Sequence, residues 1–184
     1  MENEIYSDIK NKMIKTIEHY NHEVAIIRTG RASVDILDTV KVDYYGTLSP
    51  IKNIAHVSIP EAQSILVQPF DPSSLEAIEK AITTSDLGLT PNNDGSLIRL
   101  TIPALTEERR KDLVKVVHKI IEEGRISIRN LRREANEQLK NLEKSHEISE
   151  DNLKRALDNI QELTDDYIKK LNNIQDTKET EILS

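Results

Sequence analysis

One stretch of this chain never leaves helical period for roughly forty residues. Leu113, Val117, Ile120, Ile121, Ile128, Leu131, Ala135, Leu139 and Leu142 fall on one face, and Thr106-Glu107-Glu108 supplies a capping hydroxyl and two first-turn acids at its start. At 1.5 Å per residue such a helix is roughly 60 Å long. A rod of that length cannot wrap around a compact core, so it needs partners that run beside it. Two are present. Ile5, Ile9, Met13, Ile17, Tyr20, Val24 and Ile27 mark a helix over 2–29, with Gly30 directly after it as a left-handed cap. Ser149-Glu150-Asp151 is an N-cap signature, and Leu153, Ala156, Leu157, Ile160, Leu163, Tyr167, Leu171 and Ile174 follow it. These two rods are roughly 40 and 50 Å long. The three together predict an elongated antiparallel three-helix bundle.

Between the first two rods the period changes. Val40, Val42 and Tyr44 alternate with polar residues and stop at Gly46. His56-Val57-Ser58-Ile59 and Ser64-Ile65-Leu66-Val67 read as further strands, punctuated by Pro60, Pro69 and Pro72. Leu75, Ile78 and Ile82 mark a short helix over 73–85, Asn92-Asn93-Asp94-Gly95 a turn, and 96–102 a last strand ended by Pro103. The predicted class is therefore α+β: a bundle of 1–29 plus 105–184, with a small β/α/β domain, 31–103, inserted between helices 1 and 2. Two connectors carry the covalent link. Thr29, Gly30 and Arg31 form one and Pro103, Ala104 and Leu105 the other, and their small residues make them hinge candidates.

Composition agrees with a thin body and narrows the function. Charged residues make up 31 % of the 184 positions and hydrophobic ones only 37 %, with one Phe, five Tyr and no Trp. The charged share exceeds the usual ~25 %, as much surface on little volume requires. The absence of cysteine excludes a disulfide framework, a thiolate zinc site and a thiol nucleophile. No apolar run approaches the ~18 residues of a membrane span, and Met1-Glu2-Asn3-Glu4 is acidic, unlike a signal or transit peptide. A cytoplasmic protein without a membrane partner is expected. No Gly-rich phosphate loop, nucleophile elbow or dinucleotide fingerprint occurs. His19 and His22 lie at i, i+3 beside Glu18 and Glu23, but no third metal ligand is identifiable, and an exposed helix face explains them. The expectation is no catalytic residue, no metal and no cofactor.

Charge is where the chain departs from a generic bundle. The net charge is −7, which argues against a nucleic-acid partner until it is resolved by segment. Residues 109–133 carry nine Arg or Lys against three acids, a net +6, while 1–29, 30–108 and 134–184 sum to −1, −6 and −6. With Arg125 at zero and about 100° per residue, Lys111, Lys115, His118, Arg129, Arg132 and Arg133 lie between about −20° and 80°. The apolar set clusters near 220–320°, apart from Val114, Val116 and Ile126, so the basic stripe is expected roughly opposite the bundle seam. No Arg of the stripe has a Glu four residues before it to neutralise it along the helix. Guanidinium forks suit phosphate oxygens. With no aromatics interleaved, recognition of a backbone or a shape is favoured over base stacking.

Five motifs occur in order: Arg28-Thr29-Gly30-Arg31-Ala32, Tyr44-Tyr45-Gly46, Ser85-Asp86-Leu87-Gly88-Leu89, Leu105-Thr106-Glu107-Glu108-Arg109-Arg110-Lys111, and Arg129-Asn130-Leu131-Arg132-Arg133-Glu134-Ala135. In these the chain closely resembles the bacterial ribosome recycling factor family over essentially its whole length. Val34, where many members have proline, and His118, where arginine or lysine is common, are small departures. The resemblance implies an L-shaped body of about transfer-RNA size, a monomer. It further implies a role in protein biosynthesis: acting with the GTPase elongation factor G to split ribosomes after termination. Large-subunit ribosomal RNA would meet Arg129, Arg132, Arg133, Arg125, Lys115, Lys111 and Arg110, with Arg28 and Arg31 as second candidates near the bundle tip. The GTP would belong to the partner, and the chain itself would be no enzyme. The alternative is a helical interaction module or co-chaperone whose stripe meets an acidic protein.

Overall fold

The computed structural model describes residues 2–184; Met1, the first residue of the acidic N-terminal stretch, lies outside them. The chain forms two compact units, one from residues up to Thr29 together with Glu107–Ser184, the other from Gly30–Thr106.

The first unit holds three helices, α1 (Glu2–Ala25), α4 (Glu107–Lys144) and α5 (Glu150–Leu183). Each packs on the other two. Cross-helix hydrogen bonds give the directions: Lys12 meets Glu134 and Tyr20 meets Ser127, so α1 and α4 run antiparallel. His118 meets Glu179, Arg125 meets Asn172 and Arg132 meets Gln161, so α4 and α5 do too. The core is the predicted apolar face, with Ile9 and Met13 from α1, Val117, Ile121, Ile128 and Leu139 from α4, and Ile160 and Leu171 from α5 all at 0–1 % exposure. Ser149 caps α5 as its sequence indicates, its hydroxyl accepting from the Asn152 N–H at 3.2 Å. Gly124 sits mid-helix because the three helices meet there: a Cβ would lie 3.1 Å from Tyr20 Cδ2 and 3.2 Å from Leu171 Cδ2. Helix interiors disfavour Gly by about 1 kcal/mol relative to Ala, so the close approach accounts for it.

Helix α1 ends four residues before the predicted Thr29, and Gly30 is not its cap. The last turn closes instead through the Ile26 N–H on the His22 carbonyl and the Ile27 N–H on the Val24 carbonyl. The positive φ of Gly30, +74°, serves the connector: a Cβ there would lie 2.9 Å from Leu105 Cγ.

The second unit places two sheets around one core. Strands β1 (Lys41–Tyr44) and β2 (Thr47–Pro50) form a hairpin, followed by the single turn α2 (Ile51–Ile54). Strands β3 (Ala55–Glu61), β4 (Ser64–Pro69), β5 (Pro91–Asn93) and β6 (Ile98–Thr101) form an antiparallel sheet of order β3-β4-β6-β5. Helix α3 (Leu75–Thr84) buries Leu75, Ile78 and Ile82 against this core. Alternation is clean in β6, where Ile98 and Leu100 point in and Arg99 and Thr101 out. The sequence reading missed β2 and α2 and the 3-10 turns Val34–Thr39 and Pro72–Ser74, and took β5 for part of a turn. Within the inserted unit, the residue that follows the first connector and the one that precedes the second are both pinned to the β3–β4 turn, through the Ala32 N–H on the Ala62 carbonyl (2.7 Å) and the Ile102 N–H on the Gln63 carbonyl (2.8 Å).

Candidate nucleic-acid interface

The stripe on α4 is two rows, each stepping by seven residues, so that each advances two helical turns and stays on one edge. The inner row is His118, Arg125 and Arg132, and all three reach α5. His118 Nε2 lies 3.1 Å from Glu179 Oε2. Arg132 donates one Nη1 bond of 3.2 Å to Gln161 Oε1. Arg125 is the most committed: Nε and Nη2 donate to Asn172 Oδ1 at 3.0 and 2.8 Å, and Nη2 also to Gln175 Oε1 at 2.9 Å. Its side chain is only 19 % exposed.

This corrects two expectations. The stripe does not lie opposite the seam; its inner row borders α5. Arg125 is not an open fork but a clamp of α4 on α5. The reason is packing: α4 is flanked by two helices, so its covered arc is wider than a single seam, and long guanidinium side chains at the arc's edge turn inward. Nothing on a wheel for α4 alone reports where the third helix lies.

The outer row is Lys115, Glu122 and Arg129. Glu122 Oε2 accepts from Arg125 Nη1 at 2.9 Å and Oε1 from Arg129 Nη1 at 3.2 Å. The Arg125 hydrogen bond, more than that of Arg129, holds the Glu122 carboxyl below its usual range. Neutralisation along the helix therefore exists after all, at spacings of three and seven rather than four. The sequence reading passed over Glu122, although its place three residues before Arg125 was visible. Lys111, Lys115 and Arg133 are exposed and, among the described residues, meet no hydrogen-bond or ion-pair partner. Arg110 is half-buried and donates to the Leu183 carbonyl at 3.4 Å, at the last turn of α5. There a cation complements the helix dipole.

The remaining candidates fall apart by unit. Arg28 and Thr29 belong to the bundle unit, where Thr29 Oγ1 donates to Glu181 Oε1 at 3.0 Å. Arg31, Pro103, Ala104 and Leu105 belong to the inserted unit with Gly30. His19 and His22 are exposed on α1, and no group of three or more His, Asp or Glu among the described residues is placed to hold a metal ion. Among the described residues no helix is long and apolar enough to cross a membrane.

What the arrangement offers chemically is a row of paired and unpaired basic side chains along one helix. Comparison with known proteins bears on its use. The family model for ribosome recycling factor matches residues 20–183. The chain is 52 % identical over 180 residues to the ribosome-recycling factor of Halothermothrix orenii, covering 98 % of this chain and 97 % of that one. It is 48 % identical over 183 residues to that of Bacillus pumilus, covering 100 % and 99 %. Among solved structures, the solution structure of a ribosome recycling factor superposes with a TM-score of 0.77 at 44 % identity, covering 99 % of this chain and 97 % of the other. A set of models for the T. thermophilus ribosome recycling factor and the E. coli elongation factor G bound to the E. coli post-termination complex gives 0.65 at 47 % identity, covering 100 % of both.

Proposed function

The chain belongs to the ribosome recycling factor family, and from that premise we propose that it acts with elongation factor G on ribosomes that have finished a round of synthesis, splitting them into subunits. It is a translation factor that performs no bond chemistry of its own; the GTP is hydrolysed by the partner, in the cytoplasm. The bundle binds large-subunit ribosomal RNA through the α4 stripe, with Arg132 and Arg129 as half-open forks and Arg133, Lys115 and Lys111 as free cations. Arg125 supports that surface from behind by clamping α4 to α5. Arg28 and Arg31 add contacts near the bundle tip. The inserted unit is the lever on which the GTPase pushes, turning about Thr29-Gly30-Arg31 and Pro103-Ala104-Leu105.

The observation that carries the reading is the net +6 of residues 109–133 on a chain of net −7, carried on one helix with Lys111, Lys115 and Arg133 exposed, in a protein of this family. An acidic protein gains nothing in solubility from such a block, whereas a polyanion gives it a use. The relatives do not favour the alternative of a co-chaperone with an acidic protein partner. Light scattering of 70S ribosomes tests the proposal. A drop in scattering is expected only with this chain, elongation factor G and GTP together, and splitting without the chain, or none with all three, overturns it.

A further inference from the structure

The outer row of the stripe has a carboxylate in its middle, where a phosphate-binding edge would carry a cation. Glu122 is held there by a residue that cannot follow it. Three of the four hydrogen bonds of Arg125 end on Asn172 and Gln175 of α5, and the fourth ends on Glu122. The other oxygen of Glu122 faces Arg129, whose side chain is 40 % exposed and has Glu122 as its ion-pair partner. One anion thus lies between two guanidinium groups at 2.9 and 3.2 Å, the arrangement in which paired arginines clamp a phosphate. It is anionic at neutral pH as any ordinary carboxylate is, and the Arg125 hydrogen bond lowers its pKa further.

We propose that Glu122 is a specificity-determining residue of this surface: an internal carboxylate that fills the phosphate position between Arg125 and Arg129 in the free protein and yields it only to a backbone phosphate delivered by a matched RNA. The inference rests on the RNA-binding reading of the stripe. The Glu122–Arg129 ion pair, with side chains 48 % and 40 % exposed, is weak and easily broken, so a ribosome that engages Arg132, Arg133 and Lys115 together displaces Glu122 from Arg129 with little loss. A loose RNA that reaches only one or two cations meets a site already filled. Glu122 therefore suppresses indiscriminate binding more than it suppresses docking on the ribosome.

The test uses the full chain and E122Q, which keeps the size of the side chain and one acceptor oxygen for Arg125. Affinities for purified large subunits and for an unrelated RNA duplex of twenty base pairs are measured across a salt titration, with circular dichroism as the check on folding. The variant is expected to bind the duplex about tenfold more tightly at low salt. Its log–log salt slope should be steeper by about 0.7–0.9, one further phosphate contact. Binding to subunits should gain no more than about threefold. In the double variant E122Q/R129A the duplex gain should vanish. Unchanged or weaker duplex binding overturns the inference, as does an equal gain on both partners. A gain that survives R129A is a general charge effect and overturns it too. R132A is carried through the same titration: if it leaves subunit binding untouched, the RNA-binding reading itself falls, whereas failure of the E122Q arms alone removes only the role of Glu122.

Discussion

The two units are stabilised in different currencies. The inserted unit packs 15 buried apolar residues into residues 30–106, while the longer bundle has 14 among its described residues, strung along three rods. The bundle makes up the difference at its seams with polar links, among them Lys12 to Glu134 at 2.8 Å, Arg125 to Asn172 and His118 to Glu179. A rounded β/α core shields its contacts from water. A thin bundle has almost no interior that is not also an edge, so its seams carry charged groups, and those groups are then available to a partner. The lesson is that the same slenderness that thins the bundle's core sets charged side chains along its seams.

The largest test separates the units outright. Replacing 31–103 by a short Gly/Ser linker should leave bundle helicity and subunit binding in place and abolish GTPase-driven splitting, as read by circular dichroism, co-sedimentation and light scattering. Loss of helicity would break the comparison, and normal splitting would sink the lever.

Next comes the apolar core. Ile78→Ala, at a fully buried position of the inserted unit, should destabilise that unit by about 2–5 kcal/mol. Hydrogen exchange should then show amides of 30–106 opening while α4 and α5 keep their protection. Joint loss in both units would mean that they share one core.

The bundle's polar seam should matter less per residue. Arg125→Ala strands Asn172 and Gln175 without their donors, and should cost the bundle about 1.5–3 kcal/mol in chemical denaturation and leave the inserted unit's transition unmoved. A neutral result would reduce the clamp to a surface decoration.

Arg132→Ala should lower ribosome affinity about tenfold, equivalent to about 1.4 kcal/mol, with the bundle's melting unchanged. Lys169→Ala on α5 should change little. Equal binding by the two variants would mean that the stripe is not the contact.

The smallest effect is on acid stability. The folded-state pKa of Glu122 is lowered from its ordinary value of 4.5, first by the Arg125 hydrogen bond and then by Arg129. Its contribution is therefore complete above pH 4.5 and disappears as pH falls through the depressed value. Because the Glu122 side chain is 48 % exposed, E122Q should flatten acid unfolding of the bundle only slightly. Asp71 and Asp94 have pKa values lowered by the N–H donors of Ser73 and of Leu97 and Ser96, so acid loosening of the inserted unit should persist in that variant. A steeper acid transition in E122Q would contradict the sign.

The three rods, their shared apolar face and the α+β class followed from period alone, because a buried stripe every 3.6 residues sustained over 24 to 38 positions has few other uses. So did β1 and β6, whose alternation is the mark of a half-buried strand, while β3 and β4 were legible as short runs bounded by prolines. The basic block was plain by counting. What failed had no local signal. Thr47-Leu48-Ser49-Pro50 and Pro91-Asn92-Asn93 lie at sheet edges, with little burial to impose alternation and a proline at one end; they are strands only because β1 and β6 pair with them. Gly30 was misassigned because a positive φ suits a cap and a crowded connector alike, and Leu105, 75 residues away, decides between them. Arg125 and Glu122 are the clearest case. Their spacing on α4 follows from composition and period, but whether a guanidinium faces solvent, a carboxylate or Asn172 depends on where α5 lies, and hydrogen-bond partners 47 residues apart are joined by packing rather than by sequence.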